Sequence, residues 1–169
     1  ELENYETTQY RRWPKLAVAC DCRNHLILSA ITTRGPSVDI NQFEKTLTPA
    51  IRQYTIKHIL ADAGYDSESN HRFARDTHNI RSTIPARHGR PTTKPFRGKY
   101  RRLMQQRFNR KTYGQRWQIE TVFSMIKRNQ GDVLRSRTYW SQNREMLLKV
   151  LTHNIGIILL IDKLFYRAY

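Results

Sequence analysis

Residues 56–67 of this 169-residue chain read IKHILADAGYDS, and this stretch indicates the class of fold. Its first half is a short apolar run that is typical of a buried strand, and Gly64 ends that run. We expect Asp66 or Ser67 to cap a polar helix that follows and continues to about His78. A strand that leads directly into a helix is characteristic of α/β domains, in which helices cover the faces of a sheet.

Further strands are expected on both sides of this stretch. Upstream, two apolar and β-branched runs at residues 16–21 and 25–33 flank Arg23 and Asn24. Runs of this kind around a short polar turn predict a β-hairpin. Downstream, residues 80–84 form another short apolar run that ends before a proline and predicts a further strand.

A helix is expected between the hairpin and the quoted stretch, from about residue 37 to residue 54. Phe43, Leu47 and Ile51 are spaced four apart, so they share one face that can lie on the sheet. Pro49 lies within this segment and is expected to kink or split the helix.

Two more helices are expected in the C-terminal part, at about residues 110–129 and 141–164. The last one is rich in Leu, Ile and Val, which predicts that it is mostly core. The elements then make one domain over residues 1–169, with a mixed sheet and helices on its faces. A sheet this small would gain from one more strand, so we expect a first strand to be missing.

The charge of the chain points to a polyanionic partner. Thirty Lys and Arg against 14 Asp and Glu leave a formal net charge of +16, and nucleic acid is the first partner to expect. A membrane surface would call for a basic amphipathic helix, and the longest apolar stretch, residues 155–161, is too short to span a bilayer.

Cys20 and Cys22 are poorly placed for a disulfide, which favours a reducing, cytoplasmic setting. Together with His25 they give three possible zinc ligands, whereas structural zinc needs four.

A basic insertion occupies residues 85–110. From residue 81 to residue 119 the chain has no Asp or Glu, and this stretch contains 12 Lys and Arg. One interpretation is a solvated, flexible loop; the other is a segment that tracks phosphates, because clustered cations gain by counterion release. The interleaved Phe96, Tyr100 and Phe108 can stack on bases or pack locally. The cations of this insertion that we expect to bind DNA are Arg97, Lys99, Arg101 and Arg102.

The helix predicted at residues 110–129 carries a polar stripe. At about 100° per residue, Tyr113, Arg116, Glu120 and Lys127 fall within a stripe about 60° wide, beside the apolar face. A carboxylate between cations stays ionised. From the spacing alone, an exposed i,i+4 ion pair of Arg116 with Glu120 is the favoured interpretation.

Asp62 lies at the C-terminal end of the predicted buried strand, where open α/β sheets place their ligand sites. A turn-forming Asp before a glycine is the structural alternative. Asp66 is interpreted as a helix cap. Asp21 is the weaker candidate, because it adjoins the predicted hairpin turn.

Two segments together resemble a known family. Residues 113–127 reproduce the pattern Y-x2-R-x3-E-x6-K, the signature of DDE-type transposases from bacterial insertion sequences. Residues 60–67, LADAGYDS, resemble the block around the second catalytic Asp of that family, and RWPKL at residues 12–16 also resembles family sequence. The resemblance spans about residues 10–160.

The resemblance implies a ribonuclease-H-like fold, which agrees with the predicted order of elements if the first strand is absent. It implies that Asp62 and Glu120 are two of three metal-binding carboxylates, which in a complete site hold two Mg²⁺ or Mn²⁺ ions. Arg116 and Lys127 would touch DNA near the reacting end, and Tyr113 would support the helix or contact the DNA backbone.

The activity implied by the resemblance is hydrolytic nicking at element ends, followed by strand transfer into target DNA. The partners implied are element ends, target DNA and a second copy of the chain. The implied location is the nucleoid in the cytoplasm. Neither a membrane nor a small-molecule cofactor is expected.

The first catalytic Asp of the family stands in a short Asp-x-Thr-like block on the first strand, and the sequence contains no such block. Glu1 and Glu3 do not match its position, and Asp21 belongs to the wrong strand. We therefore expect the third carboxylate upstream of residue 1 and this chain to be inactive by itself. Two alternatives remain open: a non-catalytic basic DNA-binding protein, and the relic of an inactivated element.

Overall fold

The computed structural model describes residues 13–90 and 92–166, with side chains described to residue 163. Glu1, Glu3 and Arg12, which entered the sequence analysis, lie outside the described residues. The strands are β1 (Pro14–Cys20), β2 (Ile27–Arg34), β3 (His58–Leu60) and β4 (Arg81–Thr83). The helices are α1 (Phe43–Gln53), α2 (Glu68–Arg72), α3 (Lys99–Gln106), α4 (Arg110–Tyr113), α5 (Gln118–Gln130) and α6 (Tyr139–Tyr166).

The predicted hairpin is confirmed. Strands β1 and β2 pair antiparallel, with Pro14 opposite Arg34 and an irregularity in register at Ala19 and Cys20. The turn between them closes with a backbone hydrogen bond that the N–H of His25 donates to the carbonyl of Asp21.

The two strands that flank α2 also form as predicted. Strands β3 and β4 pair parallel, with His58 opposite Arg81. Ser67 caps α2, because its side chain accepts a hydrogen bond from the N–H of Asn70. Asp66 does not cap this helix, and its interpretation as a cap was wrong: its carboxylate binds Arg101. A π-helical turn at residues 73–77 continues the helix toward β4.

One continuous mixed sheet is not formed within the described residues. β1 and β2 make one two-stranded sheet, and β3 and β4 make another. Both β1 and β3 line a cavity of about 890 Å³ that lies between the sheets. An additional strand would have to lie in this gap to join the two sheets into one. That strand stays a prediction.

Helix α1 positions the strand that carries the site. Phe43 and Leu47 are buried, and the partly buried Ile51 packs with them against Ile59 of β3, as the spacing predicted. Pro49 does not split the helix, which continues to Gln53.

The last two helical regions differ from expectation. The helix predicted at residues 110–129 is divided, because a 3-10 turn at residues 114–117 separates α4 from α5. Helix α6 was expected to be mostly core, and that was wrong. It is buried along one face, through Met146 and Val150 among others, where it packs on α5 and the hairpin. The apolar side chains on its other faces are exposed: Leu147, Leu148, Leu151, Ile155, Ile158, Leu159 and Leu160.

Among the described residues, the structure contains no helix with the length and apolar character needed to cross a membrane.

Candidate functional site

Asp62 stands two residues beyond β3 and directly before a 3-10 turn at residues 63–65. Its backbone carbonyl accepts a hydrogen bond from the N–H of Tyr65, which holds the start of this turn. The carboxylate is not used in the turn, and its side chain is 59% exposed. The chain therefore presents a largely exposed carboxylate at the end of a strand, where α/β domains place ligands.

Arg116 joins this carboxylate to Glu120. One terminal nitrogen of its guanidinium lies 3.1 Å from Oδ1 of Asp62, and the other donates to Oε1 of Glu120 at 2.8 Å. The Glu120 side chain is 45% exposed. One planar cation thus contacts both carboxylates, which places them on the same side of the fold and close together.

Tyr113 completes the cluster. Its hydroxyl lies 3.5 Å from Oδ1 of Asp62, and the guanidinium of Arg116 lies 5.8 Å from the centre of its ring. Burial raises the pKa of Tyr113, and the charge of Asp62 raises it further, against the opposing effect of Arg116. The phenol therefore stays protonated and available as a hydrogen-bond donor.

The electrostatics of Arg116 are set by the two acids. Burial alone would lower the pKa of its guanidinium, but the hydrogen bond to Glu120 and the charge of Asp62 raise it overall. Arg116 lies in the 3-10 turn before α5, and Glu120 lies in the first turn of α5. The i,i+4 pair expected from the spacing is therefore present, and Asp62 joins it from another part of the chain.

Lys127 lies apart from this cluster. It is exposed on α5, roughly 10 Å along the helix axis from Glu120 at 1.5 Å per residue. It makes no hydrogen bond or ion pair with the cluster within the described part of the chain. The structure thus brings together three of the four residues of the predicted stripe.

The cluster offers a donor set that suits a hard divalent cation. Carboxylate oxygens are the ligands that Mg²⁺ prefers, and it is commonly held by one or two carboxylates together with a substrate phosphate. Asp62 and Glu120 already converge on a cation, the guanidinium of Arg116, so they fit such an ion. Over residues 13–90 and 92–166, no three His, Cys, Asp or Glu side chains form a group that could hold a metal. Asp21 lines the cavity near Asp62, but its carboxylate accepts from the N–H of Arg23, as a turn residue does.

The basic insertion is more ordered than a loop. Its second part forms α3, and Arg97, Lys99 and Arg102 are exposed there. Phe96 and Tyr100 are buried, so these two aromatic side chains pack locally and are not free to stack on bases.

Arg101 differs from the other cations of the insertion, because it forms an ion pair with the buried carboxylate of Asp66. Sequence reasoning missed this role of Asp66. The signal was the absence of any Asp or Glu from residue 81 to residue 119, since a partly buried cation in that stretch must find its partner outside it.

Comparison with known proteins gives one match. No curated protein and no solved structure matches the chain. The family described as "Transposase DDE domain" matches residues 2–155, which is most of the chain and includes every member of the cluster around Arg116. On this match, the chain belongs to the transposase DDE domain family.

Proposed function

We propose that this chain is the DNA-binding catalytic domain of an insertion-sequence transposase, which hydrolyses phosphodiester bonds at element ends and transfers strands into target DNA. The observation that carries the proposal is the single guanidinium shared by Asp62 and Glu120. Family membership points to a function in transposition, a form of DNA recombination. Within the cell, the protein would act at the nucleoid in the cytoplasm.

The family generally uses divalent metal ions, and in this chain Asp62 and Glu120 would hold them. When bound there, such ions would supply the activation of a water or a 3′-hydroxyl for in-line attack and the stabilisation of the leaving oxygen. A complete two-ion site needs a third carboxylate, and no third His, Cys, Asp or Glu side chain joins these two within the described residues.

The cations and the phenol of the cluster have distinct proposed roles. Arg116 offsets part of the charge of the two carboxylates in the free protein, and it would turn to the phosphate when DNA arrives. Tyr113 can donate a hydrogen bond to a phosphate oxygen or hold Asp62. Lys127, exposed further along α5, would contact the DNA backbone away from the reacting bond.

Metal binding tests this proposal most directly. We expect Mn²⁺ to bind weakly and the binding to be lost in Asp62→Asn and in Glu120→Gln. Arg116→Gln should strengthen it by about tenfold, because a unit charge about 4 Å from a divalent ion costs roughly 1–2 kcal/mol even in water-like surroundings. Isothermal titration calorimetry measures each affinity.

Arg128→Gln is the matched control, since Arg128 is an exposed arginine of α5, the helix that follows Arg116, and its loss changes the net charge equally. Equal Mn²⁺ affinity in the Arg116 and Arg128 variants would contradict a metal site at these carboxylates. It would favour the non-catalytic DNA-binding alternative.

We further propose that this chain alone neither cleaves nor joins DNA, because two carboxylates bind metal too weakly. Supercoiled plasmid incubated with the chain and Mg²⁺ should stay supercoiled, as seen on an agarose gel. Mg²⁺-dependent nicking that disappears in Glu120→Ala would show the opposite.

The homodimer stays part of the proposal. It is supported by α6, where Leu148, Leu151, Ile155 and Ile158 follow a 3-4-3 spacing and are exposed. Two copies of such a seam can pair side by side. Sedimentation at the mass of one chain, with and without DNA, would exclude it.

A further inference from the structure

The carboxylate of Asp66 is the most deeply buried acid among those in ion pairs of the described residues, with a side chain that is 2% exposed. It accepts hydrogen bonds from Nε of Arg101 at 3.0 Å and from a terminal nitrogen of Arg101 at 2.8 Å. It also accepts from the backbone N–H of Arg87 at 2.8 Å. A buried charge with this many donors is fully engaged, and its partners are held in one arrangement.

Glu68 binds the same segment through its backbone. Its carboxylate accepts from the N–H groups of Tyr100 and Arg101, which are in the first turn of α3. An acid at this position satisfies unpaired N–H groups and complements the helix dipole. Gly98 precedes this turn with φ +101°, and a Cβ there would overlap the Glu68 side chain. Two acids from one short stretch therefore fix where α3 begins.

Arg101 also joins the two ends of the loop that runs from Arg87 to α3. Arg101 donates to the backbone carbonyl of Arg87 at 2.9 Å, and its guanidinium lies 4.9 Å from the centre of the Phe96 ring. Phe96 in turn stacks on His88, with ring centres 3.8 Å apart. Arg101 is thus the central contact of the insertion, and Asp66 holds Arg101 in place.

Three other cations of the insertion are exposed. Arg97 precedes α3, Lys99 begins it and Arg102 follows one residue after Arg101, and all three are exposed. Because Arg101 and the start of α3 are fixed, the backbone that carries these three cations is fixed as well.

The short stretch that contains Asp66 and Glu68, which hold the insertion, also contains Asp62 of the candidate site. A 3-10 turn at residues 63–65 separates Asp62 from Asp66, and backbone bonds from Tyr65 to Asp62 and from Asp66 to Ala63 keep it compact. Asp62 contacts Arg116 at one end of this turn, and Asp66 contacts Arg101 at the other.

We propose that Asp66 is a positioning residue for DNA: through Arg101 it holds Arg97, Lys99 and Arg102 as one phosphate-binding face at a set distance from Asp62. This inference rests on the proposed function, because it assigns how the domain orients DNA at its acidic site. Asp66 itself contacts no DNA.

The test measures affinity for a 30-base-pair duplex by fluorescence anisotropy at several salt concentrations. Asp66→Asn adds one unit to the net charge, yet it should weaken binding at least about fivefold and flatten the salt dependence, since phosphate contacts are lost. Asp132→Asn makes the same charge change at an exposed site on the linker before α6 and should leave binding unchanged or slightly tighter. Arg101→Lys, which keeps the charge but loses the forked geometry, should behave like Asp66→Asn.

A combination of variants distinguishes the positioning of these cations from a general effect of Asp66 on the fold. In a background where Arg97, Lys99 and Arg102 are all Gln, adding Asp66→Asn should change DNA affinity less than twofold, because the face it positions is already gone. A further fivefold loss in that background would overturn the inference, as would wild-type affinity in both Asp66→Asn and Arg101→Lys.

Failure of the proposed function would look different. Mn²⁺ would then bind equally well to the wild type, Asp62→Asn and Glu120→Gln, whereas wild-type DNA binding by the triple Gln variant would overturn this inference. Limited trypsin digestion reports on the anchor independently of DNA, and we expect faster cleavage at Arg97 and Lys99 in Asp66→Asn. An unchanged cleavage rate there would overturn the anchoring role whatever the DNA result.

Discussion

Replacement of Arg97, Lys99 and Arg102 together by Gln is expected to weaken duplex DNA binding by about 10²–10³-fold at 0.1 M salt, because each phosphate contact releases close to one counterion. All three side chains are exposed on or beside α3, and none of them forms an ion pair with an acid in the described part of the chain. The slope of log affinity against log salt should fall by about 2.7, which is 0.9 for each of three contacts. Fluorescence anisotropy across a salt series measures both quantities.

A matched control is the triple replacement of Lys45, Arg52 and Lys57 by Gln. These three cations are also exposed, and their loss lowers the net charge equally, but they lie on and just beyond α1. We expect them to change the affinity by less than about tenfold through the general field of the protein alone. Equal losses in the two triple variants would mean that DNA binds by overall charge and that α3 has no special part.

The second large effect is a loss of stability in mild acid. His71 is fully buried, and its Nδ1 shares a hydrogen bond with Oγ of Ser82 at 2.8 Å. Burial, followed by the charge of Arg75, lowers the pKa of His71 from 6.5 to about 4. The folded protein therefore holds this histidine neutral, while the unfolded chain binds its proton as pH falls below about 6.5.

As far as His71 is concerned, the free energy of unfolding has its full value above pH 6.5 and decreases as the pH falls from about 6.5 to about 4. At 1.36 kcal/mol for each pKa unit, the loss approaches about 3 kcal/mol. Urea unfolding at pH 7, 6, 5 and 4, followed by circular dichroism, measures this slope. His71→Gln should be less stable at pH 7 but should lose less stability on acidification.

His58 adds to the same trend, since burial and then Arg81 lower its pKa too, so the slope should shrink in His71→Gln without vanishing. His88→Gln is the control, because His88 stacks on Phe96 in the basic insertion, away from Ser82. An identical pH slope in wild type and His71→Gln would contradict this assignment.

Local patterns predicted the elements that carry the site. The hairpin, α1 and the strands at residues 58–60 and 81–83 follow from apolar periodicity and turn residues, which act over a few positions. The pairing of Arg116 with Glu120 follows from their spacing on a helix. The proximity of Asp62 and Glu120 was implied only by the family resemblance, and the ion pair of Arg116 with Asp62 was not predicted.

The features that were missed depend on contacts between distant parts of the chain. Asp66 was interpreted as a cap because the local pattern fits one, and its pairing with Arg101 depends on how α2 and α3 pack. The exposed leucines of α6 look like core residues in composition. Hydrophobicity predicts that such side chains avoid water, but it does not say whether one face or two will find a neighbour.

The gap between the two sheets affects how firmly Asp62 and Glu120 are held relative to each other. Asp62 follows β3, whereas Glu120 belongs to α5, whose buried face packs on the hairpin. No ladder of backbone bonds joins β1 to β3 within the described residues, so the two layers are coupled by side-chain packing and by the guanidinium of Arg116. Side-chain contacts resist sliding far less than a paired strand does. The spacing of the carboxylates therefore depends on side-chain contacts, and a strand paired with both sheets in the gap would hold it more firmly.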